Sequence, residues 1–148
     1  MNNHKNLAEK EREIVEEFSV FEDWMDKYAY IIELGKTLSL IPEDKKTDNF
    51  LIKGCQSQVW LHAKYVDGKV FYTADSDALI TKGIVNVLVR VLSGSTPDEI
   101  IETNMDYINE IGLKEHLSPT RANGLLAMIK QMKLYAMAFK AKDKGTVE

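Results

Sequence analysis

Val59-Trp60-Leu61-His62-Ala63-Lys64-Tyr65-Val66-Asp67-Gly68-Lys69-Val70-Phe71-Tyr72 is the stretch that decides the fold class. Val59, Leu61, Ala63 and Tyr65 alternate with Trp60, His62 and Lys64, a period of two that puts one set of side chains on each face of a strand. The run then breaks at Asp67-Gly68 before apolar residues resume at Val70. Asp-Gly supplies the two positive φ angles of a type I′ turn, so the spacing predicts two antiparallel strands joined as a hairpin.

On both sides of the hairpin the period becomes helical. Upstream, Phe21, Trp24, Tyr28, Ile31 and Ile32 recur at steps of three and four, and Gly35 with Thr37 stands near the end of that helix. A charged helix over residues 5–18, carrying Leu7, Ile14, Val15 and Phe18, precedes it, and residues 38–49 have the turn chemistry of a surface loop. Downstream, Asp75-Ser76-Asp77 reads as the cap of a helix that ends before Gly94. Val85, Val87, Val89 and Val91 alternate as in a strand, yet Lys82, Asn86 and Arg90 fall four apart and gather into one helical stripe. The helix reading makes this element apolar on most of its circumference, the central buried one.

Thr96-Pro97-Asp98-Glu99 is a capping box with proline at the first helical position, and Ser118-Pro119-Thr120-Arg121 opens the last helix in a similar way. That helix lines up Leu125, Met128, Ile129, Met132, Tyr135 and Phe139. The expectation is an α+β fold, a small antiparallel sheet with a hairpin packed against several α-helices. No repeat or linker divides residues 1–148, so a single domain is expected.

Composition limits the function classes. The chain has 148 residues, 45% apolar and 28% charged, a length at which roughly 68–70% of the unfolded surface is buried. Residues 121–148 carry six Lys/Arg against two acids, so the net charge of −4 leaves −8 for residues 1–120. An acidic body argues against a nucleic-acid partner, because phosphate binding draws on broad positive surfaces. The longest apolar runs are five residues, Leu125 to Ile129 and Tyr135 to Phe139, so no membrane span is expected. The first seventeen residues hold five glutamates and no apolar block, so no secretory signal is expected and a cytoplasmic setting is. One cysteine can form no internal disulfide and cannot alone supply a Cys-ligated cluster or a Cys-rich zinc site.

Cys55, the only soft nucleophile, sits in Lys53-Gly54-Cys55-Gln56-Ser57-Gln58 at a turn-to-strand junction. Free cysteine is often mere packing, so its position alone leaves function and structure about evenly matched. His4, His62 and His116 are too scattered for a metal site, and no protease signature surrounds Cys55. His116 is the better placed base for a Cys-dependent hydrolase. Arg121 stands in the first turn of the last helix, where the macrodipole disfavours a cation. Either an ion pair to Asp75, Asp77 or Glu115 holds it, or it is presented at the rim of a site or docking surface.

Gly54-Cys55-Gln56-Ser57-Gln58-Val59-Trp60, Asp75-Ser76-Asp77-Ala78, Lys82-Gly83 and Leu117-Ser118-Pro119-Thr120-Arg121 with Gly124 resemble the SufE family, in order, over about residues 20–140. Ala74 stands where many members have glycine, and the charged N-terminal stretch lies outside the resemblance. The resemblance implies a SufE/IscU-like fold and a sulfur acceptor and activator for a SufS-type cysteine desulfurase. Cys55 would take a persulfide sulfur and deliver it to an iron–sulfur assembly scaffold such as SufBCD. Gly54, Gln56, Ser57, Asp77 and Arg121 would serve the Cys55 loop and the docking surface. The same resemblance implies a carrier without turnover or cofactor of its own, the pyridoxal phosphate belonging to the desulfurase. The other readings are a Cys-dependent hydrolase and an interaction module with a structural cysteine. An IscU-type scaffold is disfavoured because a scaffold must offer iron several thiolates.

Overall fold

A computed structural model describes residues 5–145. Strands β1 (Val59–Val66) and β2 (Lys69–Ser76) form an antiparallel hairpin in the register Val59↔Ser76 to Val66↔Lys69. Asp67 and Gly68 both take positive φ, 51° and 80°, the geometry that Asp-Gly is suited to provide. One face of the hairpin, with Val59, Leu61, Val70, Tyr72 and Ala74, is buried in the core.

The helices are α1 (Leu7–Ser19), α2 (Trp24–Gly35), α3 (Leu79–Leu92), α4 (Pro97–Glu102), α5 (Tyr107–Glu110), α6 (Leu113–His116) and α7 (Pro119–Gly145). α1 and α4 each begin with a capping box, Asn6 with Glu9 and Thr96 with Glu99. Ser118 accepts the Arg121 N–H at 3.3 Å at the head of α7.

α3 is the central element, with Ile84, Val87, Leu88, Val91 and Leu92 almost fully buried. Its polar stripe is a packing seam rather than a solvated face. Lys82 meets Asp75 at 3.4 Å, Asn86 donates to the Leu34 carbonyl at 2.7 Å, and Arg90 grips both carboxylate oxygens of Glu17 at 2.6 Å. The stripe thus ties α3 to the hairpin, α2 and α1 in succession. Gly83 lets α2 approach closely, because a Cβ there would lie 2.0 Å from the Ile31 carbonyl oxygen.

The expected cap at Asp75-Ser76-Asp77 is corrected. β2 continues through Ser76, and α3 starts at Leu79 after Ala78, with no side-chain cap. The ladder partners Trp60 and Val59, together with Lys46 and Lys82 on the Asp75 carboxylate, hold those residues extended. Residues 38–49 form a strap with two short 3₁₀ turns, Glu43–Lys45 and Asp48–Phe50. The strap is fixed to β2 by the Ile41 N–H to the Ala74 carbonyl and by Lys46 to Asp75, each at 3.1 Å. Lys46 also lies 4.9 Å over the Trp60 ring. Residues 103–117, where no helical period stands out, fold into α5 and α6, with the Tyr107 hydroxyl donating to the Val87 carbonyl at 3.1 Å. Among the described residues no helix is long and apolar enough to cross a membrane.

Candidate functional site

Cys55 occupies the tip of a loop, residues 53–58, that is clasped at its base. The Ile52 N–H donates to the Val59 carbonyl at 2.8 Å, and Leu51 bridges Trp60. Gln58 is held more firmly. Its N–H donates to Asp77 Oδ1 at 3.1 Å, while its carbonyl accepts from the Asp77 N–H at 3.3 Å and the Ser76 hydroxyl at 2.8 Å. Asp77 is therefore an anchor of the loop's exit and does not line the cavity around Cys55. Gly54 has φ +97°, a left-handed conformation that L side chains rarely adopt.

Between these anchors the loop tip is held by side-chain contacts. Cys55 Sγ donates to the Gly124 carbonyl at 3.6 Å, and Ser57 meets the Thr81 hydroxyl at 3.5 Å. The half-buried thiol faces a cavity of about 80 Å³ lined by Ser57, Thr81, Ile84, Gly124 and Met128, with Arg121 at its rim. That space exceeds the roughly 10–15 Å³ that one water needs. Burial pushes the thiol pKa up, so the resting group is a protonated thiol hydrogen-bonded to a carbonyl.

Of the residues expected at the site, Gln56, Ser57 and Arg121 line the cavity with Cys55, Gly54 shapes the loop, and Asp77 anchors its exit. Arg121 is exposed, and neither Asp75, Asp77 nor Glu115 pairs with it; no other carboxylate among the described residues does. Asp75 instead holds Lys46 and Lys82.

The histidines go elsewhere. His116 stacks on Trp24 at 4.5 Å with its Nδ1 2.8 Å from the Gly112 carbonyl, and His62 lies edge-on to Phe50 at 5.1 Å. Neither lines the cavity, and His4 lies outside the described residues. Burial and the nearby Lys45 and Lys64 push the His62 pKa down. Among the described residues no group of three His, Cys, Asp or Glu could hold a metal ion.

Thr81, Ile84, Thr120, Gly124 and Met128 complete the cavity; of these, Thr120 and Gly124 belong to the motif that opens the last helix, and Gly124 also carries a physical signal. A glycine inside a long helix costs stability, which implies a packing reason. Here a Cβ would sit 3.6 Å from Cys55 Sγ.

The chain matches the SufE family, described as an Fe-S metabolism associated domain, across residues 12–136. An uncharacterized SufE-like protein of Rhizobium meliloti is 40% identical over 126 residues, covering 82% of this chain and 90% of that one. A second, from Synechocystis, is 41% identical over 134 residues, covering 90% and 82%. The solution structure of a hypothetical protein from Thermus thermophilus shares the fold, with a TM-score of 0.73 at 21% identity over 87% of this chain and 94% of that one. With most of its length matched by the family and by relatives at about 40% identity, the chain belongs to the SufE family, which places it in iron–sulfur metabolism.

Proposed function

We propose that this protein accepts a sulfane sulfur on Cys55 from a persulfide on a pyridoxal-phosphate-dependent cysteine desulfurase of the SufS type and passes it to a SufBCD-type scaffold. The observation that carries this reading is the setting of Cys55: the chain's one thiol, at the tip of a clasped loop, beside a cavity with room for a further sulfur atom.

In the transfer, the Cys55 thiolate attacks the outer sulfur of the donor persulfide. A new S–S bond forms at Cys55, the donor's S–S bond breaks, and the donor cysteine leaves as a thiolate. Oxidation level is conserved, so no oxidant or reductant enters the step. The Cys55 proton passes to solvent or to the departing thiolate.

The resting thiol is poorly suited to attack, because burial holds it protonated and no histidine among the described residues lies beside it to remove the proton. Swinging the loop tip out of the cavity removes that burial. Gly54 gives the backbone freedom, while the base pairs Ile52–Val59 and Gln58–Asp77 keep the ends in place. Donor docking then selects the exposed, more acidic thiol, and retraction shields the persulfide from water and reductants. Arg121, exposed and without a carboxylate partner among the described residues, contributes to docking. The protein acts as a carrier and activator, and its catalytic partner supplies the cofactor.

Intact mass after incubation with the desulfurase, pyridoxal phosphate and cysteine tests the proposal. A gain of roughly 32 Da that reductant reverses and Cys55→Ser abolishes is the expected result for one transferred sulfur. No gain with an active desulfurase from the same source overturns it.

A further inference from the structure

α7 is apolar on two opposite sides. Leu125, Met128, Met132 and Ala136 are buried in the core, as its amphipathic stripe requires. The outward side carries Leu126, Leu134 and Met137, which are 49%, 44% and 50% exposed. At 100° per residue these three share one face with Lys130, which is exposed and pairs with no carboxylate among the described residues. The face runs roughly 16 Å along the helix at 1.5 Å per residue. Three large apolar side chains aligned about a free lysine differ from isolated surface leucines, which need no explanation.

Charge and continuity say what covers this face. Two antiparallel copies of α7 meeting on the stripe would bring two Lys130 ammonium groups into the middle of the contact, which disfavours a second copy of this chain. A partner with a carboxylate between apolar residues suits it. The neighbouring lysines are already committed, Lys133 to the Ile101 and Thr103 carbonyls and Lys140 to Asp98 at 2.5 Å. The face also adjoins the sulfur site. Ala127, an i,i+3 neighbour of Lys130 on the helix surface, lies against the Cys55 loop, its Cβ 3.3 Å from where a Gly54 Cβ would be.

We propose that the outward face of α7, Leu126, Lys130, Leu134 and Met137, is a docking ridge for the sulfur-donating desulfurase, which meets it with an apolar groove bearing a carboxylate opposite Lys130. This rests on the sulfur-acceptor reading of Cys55. The ridge orients the donor along α7 so that its persulfide arrives at the loop tip.

Binding of the full-length protein to the cognate desulfurase is measured by titration calorimetry for wild type, Leu134→Glu and Lys130→Glu. Both residues are exposed, so thermal melting should match wild type. The expected result is at least a tenfold weaker dissociation constant for each variant, with the alkylation rate of Cys55 in the free variants unchanged. A variant that melts as wild type does and binds the desulfurase equally well overturns the ridge. So does a Leu134→Glu protein that changes only from dimer to monomer in sedimentation, since the face would then be a self-interface. Absence of a Cys55-dependent mass gain when wild type is incubated with the active desulfurase and cysteine overturns the acceptor reading instead, and the binding comparison still decides the ridge.

Discussion

Cys55 Sγ donates to the carbonyl of Gly124, 69 residues further along the chain, at 3.6 Å. A carbonyl accepts a proton but offers none, so this contact favours the neutral thiol and gives no support to a thiolate. The site therefore holds its nucleophile unreactive until something draws the loop away.

The alkylation rate of Cys55 in the free protein should rise with pH through a midpoint above the free-thiol value of about 8.5. Burial raises the folded-state pKa, so the unfolded chain sheds this proton first as pH increases. The stability that Cys55 contributes is thus present below the unfolded pKa and is lost as pH rises through the folded one. Stopped-flow alkylation from pH 7 to 10, and melting of wild type against Cys55→Ala over the same range, check both signs. A midpoint at or below that of a free thiol contradicts the burial of the resting group.

Gly124→Ala should separate stability from sulfur retention. Alanine in a helix interior gains up to about 1 kcal/mol over glycine. The added Cβ meets Cys55 Sγ at 3.6 Å, an ordinary contact that the resting state tolerates. The same methyl narrows the space a second sulfur would use. The melting midpoint is expected to rise while the fraction of Cys55 keeping its sulfur after ageing falls, read by intact mass.

Gly83→Ala, the same substitution one helix away, should go the other way. Its Cβ would lie 2.0 Å from the Ile31 carbonyl oxygen, so α2 and α3 must part. Overpacking of this kind costs about 1–3 kcal/mol or more, outweighing the helix-propensity gain. Urea unfolding should show a lower midpoint.

Asp77→Ala removes the acceptor of the Gln58 N–H and loosens the loop's exit, leaving the Gln58 carbonyl held by the residue-77 N–H and Ser76. The loss is about 0.5–1.5 kcal/mol for one hydrogen bond, at the low end for an exposed group. Amide exchange in residues 53–58 should accelerate while exchange in β1 beyond Leu61 stays the same. Equal acceleration throughout β1 would mean that Asp77 supports the hairpin and not the loop.

Arg121→Ala should leave melting within about 0.5 kcal/mol of wild type, as surface changes without partners do. Desulfurase stimulation should then require more of the variant. An unchanged concentration dependence removes Arg121 from the docking surface.

Local chemistry alone settled much of this architecture. Asp67-Gly68 dictates a hairpin because few other residue pairs take two positive φ angles, and Thr96-Pro97-Asp98-Glu99 starts a helix from its own hydrogen bonds. The four-residue step of Lys82, Asn86 and Arg90 made α3 a helix against the β-propensity of its valines, although its partners on α1, α2 and the hairpin were invisible in the pattern. Composition reduced the nucleophiles to Cys55.

Long-range pairing decided what remained. Asp75-Ser76-Asp77 has good capping chemistry, yet ladder bonds to β1 and two lysines from other segments keep Asp75 and Ser76 in the strand. Arg121 has no carboxylate partner among the described residues, since the fold commits Asp75 to Lys46 and Lys82 and Asp77 to the Gln58 N–H. The cavity beside Cys55 exists only where a loop, α3 and α7 converge. No local propensity encodes that distance, since the free energy that brings residues 55, 81 and 124 together comes from burying the helices around them.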